Sequence, residues 1–407
     1  MRNWRLDFFT LWIVQFVAAA GFMVAGPFVP LYIQELGAGG VREAAIWAGI
    51  MGAMGGITMA ISSPIWGALA DRYGRKPMVA RATMGSAVFQ ASMGLAASVP
   101  QLVLFRTLQS LVSGVQAACM ALAATVVPTA SLGFALGALQ TAAALGSTVG
   151  PFVGGWMAAG LGYRPTFFVT GALLFLAGLL TLVAVREDFT KPPSTGQRPR
   201  VMAGFADVLR VPHMLGLMAT IAVGRAAGNS MTIAIPLVLQ EMAGGNPDVS
   251  ASAGTVVGLT ALAMAVGALA WGRLGDRVGQ RRVLLICLLL SAILIVPQAL
   301  ARTPLQLAVG QMVYTAVLAG LLPSSAALIG ITGPKGRQGV TYGVGGTALA
   351  IGNALGPALA ATLIGSFGTK ALFVGVGVVL FALWAVMARR TGTNMASAPV
   401  LENMHHL

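Results

Sequence analysis

Long apolar stretches separated by short polar ones make up almost the whole chain. An α-helix needs about 20 apolar residues to cross some 30 Å of hydrocarbon, and the stretches have that length. The pattern therefore predicts twelve membrane-spanning helices. They cover roughly residues 8–34, 44–70, 78–98, 101–126, 133–158, 164–185, 212–242, 251–273, 282–301, 305–331, 338–365 and 370–388.

The chain is built twice. The charged run Gly67–Lys76 returns as Gly272–Arg282, and both copies keep Gly, Leu, Asp-Arg and Gly in register. Pro30–Glu35 returns as Pro236–Glu241 at an offset of 206 residues. Collinear repeats of this kind indicate an internal duplication. Two parallel six-helix repeats predict two bundles related by an axis along the membrane normal, as in transporters that work by alternating access.

Composition excludes a soluble protein. Hydrophobic residues make up 57% of the chain and charged residues 9%, against about 25% charged in soluble domains. We expect a first bundle over residues 1–188, a polar, proline-rich linker over 189–210, a second bundle over 211–390 and a disordered tail over 391–407. Both cysteines, Cys119 and Cys287, lie inside apolar runs, so no disulfide scaffold is indicated, and no metal or cofactor is expected.

The distribution of Lys and Arg predicts the orientation. With the N-terminus inside, the inner segments hold 19 of these residues and the outer loops only 4. An excess of positive residues marks the cytoplasmic side, so both termini and the linker are predicted to be cytoplasmic. The net charge of +14 is then explained by the Lys and Arg residues that orient the spans. Nucleic acid is therefore not an expected partner. A bacterial inner membrane is the expected location.

The polar loop that follows the second predicted span carries the first family resemblance. Gly67–Lys76 resembles the loop signature of the major facilitator superfamily, and Gly272–Arg282 resembles its counterpart in the second half. The resemblance covers nearly the whole chain. It implies an all-α membrane protein with twelve transmembrane helices in two pseudo-twofold-related six-helix bundles, working as a monomer in the lipid bilayer.

In the family this loop ties the halves together on the cytoplasmic side when the protein faces outward. Asp71 can accept from helix N-terminal amides and pair with an arginine. The alternative is that the basic residues only anchor the topology. The predicted cytoplasmic gate consists of Gly67, Asp71, Arg72, Gly74, Arg75, Asp276 and Arg277.

A glycine pattern in the fifth span resembles the drug and metabolite antiporters of the same family. Closely spaced glycines let helix backbones approach, and Pro151 removes an amide donor, so a hinge or close-packed seam is predicted. The alternative is generic packing of small residues. The predicted seam consists of Gly146, Gly150, Pro151, Gly154 and Gly155. A degenerate second copy has Gly343, Gly352 and Gly356-Pro357, with Ala360-Ala361 in place of the final glycine pair. The resemblance implies proton-driven export.

The fourth span resembles a family motif whose arginine is tied to proton coupling. That arginine is Arg106, although Ser110 stands where the motif usually has Gly. Arg106, Gln109 and Ser113 fall at helical steps on one face. Glu35 and Glu241, at equivalent repeat positions, are the other candidates for proton coupling; the alternative is that both are ordinary charges of the outer loops.

Only Arg106 and Arg225 place a charge clearly inside the spans, and no carboxylate does so. A charge in the bilayer is costly and marks a pathway by default, so we expect a positively charged central cavity. Pro236 is expected to break the seventh span. The cavity predicts a substrate with an anionic or strongly electron-rich group. The predicted substrate-binding residues are Gln15, Arg106, Gln109, Ser113, Arg225, Asn229 and Thr232.

The leading functional hypothesis is a secondary active exporter of a small amphipathic drug or metabolite, coupled to protons. The alternative is an organic-anion or metabolite transporter that works as a uniporter, symporter or exchanger, including in the uptake direction. An intramembrane enzyme is not indicated, because the spans hold neither paired acids nor a metal-binding or Ser/His arrangement.

Overall fold

The computed structural model describes residues 4–128, 131–187, 211, 213–244, 249–332 and 338–389. The side chains of Pro64, Ala68, Asp71 and residues 338–344 lie outside that description. Within these ranges the chain forms fifteen α-helices, one 3₁₀ helix and no strand. The all-α prediction is confirmed. The predicted linker and tail lie wholly outside the described residues.

The helices follow the predicted order of spans. The first half contains α1 (Trp4–Val24), α2 (Val29–Glu35), α3 (Val41–Tyr73), α4 (Lys76–Gly94), α5 (Val99–Val112), α6 (Val115–Val126), α7 (Leu132–Leu161) and α8 (Tyr163–Ala184). The second half contains α9 (Met214–Met242), α10 (Ser250–Val278), α11 (Gln280–Ile295), the 3₁₀ helix Val296–Leu300, α12 (Pro304–Leu318), α13 (Leu321–Thr332), α14 (Gln338–Phe367) and α15 (Thr369–Arg389).

Eleven of the twelve predicted spans are long and apolar enough to cross a membrane. The exception is α4, the predicted third span, which has 19 residues and carries Arg81 and Gln90. It nevertheless packs against α5 and α8 as a member of the first bundle. The Arg81 guanidinium stacks over the Trp66 ring of α3, with its central carbon 3.5 Å from the ring centroid.

Three predicted spans are interrupted. The first breaks between α1 and α2, the fourth at Ser113-Gly114 and the tenth at Ala319-Gly320. The last two breaks are 206 residues apart, which is the repeat offset. Gly114 adopts a φ of 112°, a conformation that L side chains rarely adopt. At both breaks an indole N–H covers a carbonyl: Trp66 donates to Leu111 O at 2.6 Å, and Trp271 donates to Ala316 O at 3.0 Å.

The predicted break at Pro236 is wrong, because α9 runs unbroken through that residue. A proline removes one backbone hydrogen bond, and a membrane helix that is packed among neighbours tolerates this loss. Pro236 and the residues on either side of it are buried. The surrounding helices hold α9 straight enough to remain one helix.

Equivalent glycines form a close seam in each half. A Cβ added to any of them would lie within 2.7 Å of a carbonyl oxygen, so only glycine lets the two backbones meet. The pairs are Gly146 on Phe16 and Gly150 on Ala20 in the first half, and Gly352 on Ala222 and Gly356 on Ala226 in the second. Every partner is displaced by 206 residues, so the two halves repeat the same packing.

The two halves meet along two further helix pairs. A Cβ on Gly155 of α7 would lie 2.4 Å from Ser250 O of α10, and one on Gly49 of α3 would lie 2.6 Å from Pro357 O of α14. We call the face at which α1 begins the N-face. Toward the N-face, Gly67 of α3 and Gly272 of α10 have no heavy atom within 4 Å of an added Cβ. The described contacts between the halves therefore lie toward the face opposite the N-face.

Candidate functional site

A three-residue polar cluster lies inside the second half, between α9 and α14. Arg225 Nε donates to Asn353 Oδ1 at 2.8 Å, and Asn229 Nδ2 donates to the same oxygen at 2.9 Å. Because the guanidinium can only donate, Asn353 must present its oxygen here. Arg225 and Asn229 are one helical turn apart on α9, and one amide oxygen holds both.

Asn353 faces the junction of the two halves. Gly352 and Gly356 of α14 pack on α9, whereas Ala354 and Pro357 pack on α3 of the first half. At about 100° per residue, position 353 falls between these two contacts. Ile351 and Leu355, two residues away on either side, are 45% and 52% exposed and lie on the opposite side of the helix. The cluster therefore points away from lipid.

The charge of Arg225 is not neutralised within the described part of the chain. Its only hydrogen bond there uses Nε, and none of the described carboxylates pairs with it. The Nη1 and Nη2 groups are not among the buried atoms that lack a partner. Within the described part of the chain they are therefore available to a ligand, and a guanidinium can hold a carboxylate or phosphate through its two Nη groups.

The second intramembrane arginine, which is half-buried like Arg225, belongs to a polar chain in the first half. Arg106 Nη1 donates to Gln109 Oε1 at 2.7 Å, and Gln109 Nε2 donates to Gln90 Oε1 at 2.6 Å. Gln90 Nε2 in turn donates to Thr170 Oγ1 at 3.2 Å. The chain crosses α5, α4 and α8. Its amides orient the guanidinium, and like Arg225 it has no carboxylate partner among the described residues.

The other predicted substrate-binding residues occupy different places. Gln15 is buried in α1, and its Oε1 has no described hydrogen-bond partner. Thr232 of α9 contacts Gly26 of the first half, because a Cβ on that glycine would lie 3.3 Å from Thr232 Cγ2. Ser113 sits at the end of α5, at the helix break. The described contacts link Arg225 with Asn229 and Arg106 with Gln109, each pair within its own half.

The predicted proton-coupling carboxylates lie at the face opposite the N-face. Glu35 ends α2 and Glu241 lies in the last turn of α9, and both are exposed. Glu241 Oε2 accepts a hydrogen bond from Thr369 Oγ1 at 2.5 Å. The expectation that no acid is buried is wrong for Asp7, which is 5% exposed in the first turn of α1. Asp7 is the one buried carboxylate among the side chains that the structure describes.

The predicted gate residues lie at the N-face, and their described contacts stay within their own half. Glu187 accepts from the backbone N–H groups of Arg75 and Lys76 at 2.7 to 2.9 Å, which caps the start of α4. Asp276 Oδ1 accepts from Gln280 Nε2 at 2.8 Å. Gly74 ends α3 at a φ of 93°. Arg72 and Arg277 are exposed, and the Asp71 side chain lies outside the described residues.

The predicted glycine seam divides between two interfaces. Gly146, Gly150 and Gly154 pack on α1, whereas Gly155 and the carbonyl of Pro151 meet Gly254 of α10. The first group joins helices within one half, and the second joins the two halves. Pro151 lies inside α7 without ending it.

A reciprocal amide pair joins the halves at the opposite face. Gln34 Nε2 donates to Gln240 Oε1 at 2.8 Å, and Gln240 Nε2 donates to Gln34 Oε1 at 2.9 Å. The two glutamines are repeat equivalents, 206 residues apart. A residue that bonds its own equivalent lies next to the pseudo-twofold axis, so the axis passes between these two side chains.

Sequence reasoning missed Asn353, Gln90, Thr170 and the glutamine pair. Asn353 follows Gly352, and Gly352 belongs to the degenerate glycine pattern that marks the packed face of α14. Gln34 and Gln240 lie inside a repeat that was recognised. In both cases the position within the internal repeat could have indicated the residue, whereas the predicted site was chosen from the charged residues.

Relatives of known name match nearly the full chain. The chain is 33% identical to a multidrug resistance protein MdtG of Klebsiella pneumoniae over 98% of this chain and 97% of that protein. It is likewise 33% identical to MdtG of Salmonella typhimurium over 95% of this chain and 97% of that protein.

Solved structures of transporters share the fold. A bacterial homologue of the human lysosomal transporter Spinster, in an inward-facing conformation, aligns with a TM-score of 0.77 at 17% identity, over 98% of this chain and all of that one. The human organic anion transporter MFSD10 gives 0.67 at 18%, over 95% of this chain and all of that one. The nucleoside transporter NupG gives 0.79 at 12%, over 97% and 100%.

The sequence profile of the Major Facilitator Superfamily matches residues 11–251 and 246–399, which is nearly the whole chain. The repeat, the helix order and the packing of the two halves all agree with this match. The chain belongs to the Major Facilitator Superfamily and is a multi-pass membrane transporter rather than an enzyme.

Proposed function

We propose that this transporter exports small amphipathic compounds by alternating access, and that it prefers compounds with an anionic or strongly electron-rich group. The observation that carries the preference is Arg225, held at the junction of the halves with its Nη groups free of described partners. A buried cation without a carboxylate favours an anionic ligand. The multidrug resistance relatives support export of drugs or metabolites.

The N-face is proposed to be cytoplasmic, because the excess of Lys and Arg lies on that side. The described contacts between the halves lie at the opposite face, and we propose that the halves separate toward the N-face. The arrangement is then an inward-open state, in which Arg225 is reached from the cytoplasm. Release would require the opposite face to part and the gate loops at the N-face to close.

Coupling to protons is proposed through a carboxylate, since an arginine retains its proton. The described candidates are Asp7, which is buried near the N-face, and Glu35 and Glu241, which lie at the opposite face. Arg106, on its chain of amides, would respond to a change of charge in the first half. Arg106 thus takes a coupling role without itself releasing a proton.

The net charge moved in each transport cycle distinguishes proton antiport from its alternative. Export of one monovalent anion in exchange for one proton moves two charges in the direction that an inside-negative potential favours. Each charge contributes about 2.3 kcal/mol per 100 mV. The organic-anion uniporter, the alternative, would move one charge and would not respond to a pH gradient. We retain this alternative because the structural neighbour MFSD10 is named an organic anion transporter.

The test uses purified protein in liposomes and taurocholate, an amphipathic sulfonate that stays charged across the pH range. With the potential clamped at zero, an acidic lumen should drive taurocholate into the vesicles and protons out. A lumen-positive potential should increase the rate further. Uptake that follows the potential alone would contradict proton antiport. Equal transport of the cation ethidium and of taurocholate would contradict the anionic preference.

A further inference from the structure

We propose that Asn353 sets the charge selectivity of the substrate site. It is a positioning residue: its neutral Oδ1 fixes Arg225 through Nε and leaves the two Nη groups to hold a carboxylate, sulfonate or phosphate group of the substrate. The inference rests on the proposed anionic substrate but is independent of proton coupling.

The first step of the argument is geometry. Asn353 Oδ1 receives both Arg225 Nε and Asn229 Nδ2, which removes one edge of the guanidinium from ligand binding. The remaining edge carries two parallel N–H groups in the fork that matches a two-oxygen anion. A guanidinium that was free at Nε could turn, so the amide selects which edge meets the ligand.

The second step is the hydrogen-bonding capacity that remains. With its oxygen used twice, Asn353 keeps its Nδ2 donors, and Asn229 keeps its Oδ1 acceptor. None of these atoms makes a described hydrogen bond or is among the described buried polar atoms that lack a partner, so within the described residues they are available to a ligand. Together with the Nη groups, the cluster presents mostly donors, which suits an anionic group with a neighbouring hydroxyl or amide.

The third step is charge. An amide and a carboxylate have nearly the same shape, so a carboxylate at position 353 would accept the same two hydrogen bonds. It would also neutralise Arg225 and cancel the attraction for an anion. The neutral amide is therefore what keeps the junction positive. One atom, the amide nitrogen in place of a carboxylate oxygen, decides which sign of ligand the site attracts.

The chain supplies a matched control in its own repeat. Ser147 stands 206 residues before Asn353, follows Gly146 as Asn353 follows Gly352, and is half-buried on α7. Its hydroxyl makes no described hydrogen bond to either arginine. Ser147→Asp thus adds the same charge at the equivalent place in the other half, at a residue with no described hydrogen bond to Arg225.

The experiment measures binding of taurocholate and ethidium to purified protein in nanodiscs, without any gradient. Asn353→Asp should weaken taurocholate binding at least tenfold and strengthen ethidium binding, while Ser147→Asp leaves both close to wild type. Lowering the pH until the introduced carboxyl is protonated should restore taurocholate binding. Asn353→Ala, which adds no charge, should weaken taurocholate binding without strengthening ethidium binding, and it keeps the test available if the acidic variant does not fold.

Three results would overturn the inference. Unchanged taurocholate affinity in Asn353→Asp or in Asn353→Ala would show that Arg225 needs no positioning. Equal losses in Asn353→Asp and Ser147→Asp would show that any added carboxylate acts at a distance. A wild-type protein that binds ethidium but not taurocholate would remove the anionic substrate itself, and that failure lies with the proposed function.

Discussion

At the scale of single residues, the chain holds its two half-buried arginines with amides instead of acids. Arg106 is held by Gln109, and Arg225 by Asn353. An amide orients a guanidinium without neutralising it, whereas a carboxylate would do both. The two arginines therefore keep their full charge inside the protein, which is useful only where something else supplies the opposite charge.

Replacing Arg225 tests this view directly. A hydrogen bond to a charged group contributes about 1.5–3 kcal/mol, and about 1.4 kcal/mol corresponds to a factor of ten. Arg225→Ala should therefore reduce taurocholate affinity by roughly one to two orders of magnitude, and flux should fall with it. Binding and flux in liposomes, with the amount of inserted protein measured in parallel, provide the check.

The control for that variant is Arg302→Ala. Arg302 is exposed in the loop before α12, and its described hydrogen bond uses the backbone N–H. The substitution Arg302→Ala removes one positive charge at the surface and should leave flux unchanged. Equal losses in both variants would mean that net charge, and not the guanidinium of Arg225, controls transport.

The sequence made the two arginines easy to find and their partners hard to find. An arginine inside a hydrophobic run stands out, because few residues are so costly there. Asn353 does not stand out, since a single amide in a span has no motif. Its contact with Arg225 joins positions 128 residues apart, and only the packing of α14 on α9 brings them together.

At the scale of helices, glycine decides which surfaces can meet. On α7, Gly146, Gly150 and Gly154 face α1, while Gly155 faces α10 of the other half. The helix α7 thus takes part in two interfaces, one with α1 inside its own half and one with α10 of the other half. Neighbouring residues, Gly154 and Gly155, belong to different interfaces. Any motion of the halves against each other must act at Gly155 and spare the α1 seam.

Substitution of Gly155 separates these roles. An added Cβ would lie 2.4 Å from Ser250 O and 2.6 Å from Gly254 Cα, distances that force the halves apart. Gly155→Ala should lower the free energy of unfolding of the purified protein by about 1–3 kcal/mol, the usual cost of overpacking. It should also reduce transport. On the same helix, Gly160 has open space around it, so Gly160→Ala should match wild type. Normal transport by Gly155→Ala would show that this contact is not needed.

Hydropathy predicted the order of the helices well and their interruptions poorly. A run of apolar residues looks the same whether or not the helix stops for two residues inside it. The break at Ser113-Gly114 contains a left-handed glycine, and both this break and the one at Ala319-Gly320 have a tryptophan donor from another helix. Proline was the misleading signal: Pro236 was expected to break α9, but the neighbouring helices keep it continuous.

At the scale of the whole molecule, the described contacts between the two halves lie toward one face. The contacts between α7 and α10 and between α3 and α14 lie toward the glutamine pair, whereas Gly67 and Gly272 are free of neighbours at the N-face. Alternating access requires this relation to reverse. The pair Gln34–Gln240 would then have to separate once in every cycle.

Cross-linking of that pair tests the requirement. Gln34→Cys and Gln240→Cys, joined by a short bis-methanethiosulfonate reagent, should stop transport, and a reducing agent should restore it. The native cysteines, Cys119 and Cys287, are both buried and should react little. The single variant Gln34→Cys with the same reagent is the control. Transport that continues after complete cross-linking would mean that this face does not open.

The place of Gln34 and Gln240 beside the axis also limits how they can vary. Each meets its own copy, and a primary amide can give and receive a hydrogen bond with an identical side chain. Two lysines or two glutamates would repel each other there, and two leucines would leave the pair without its bonds. A viable change on one side therefore demands a complementary change on the other. The two positions, 206 residues apart, are therefore expected to change together, as they would if one gene for a single half supplied both copies.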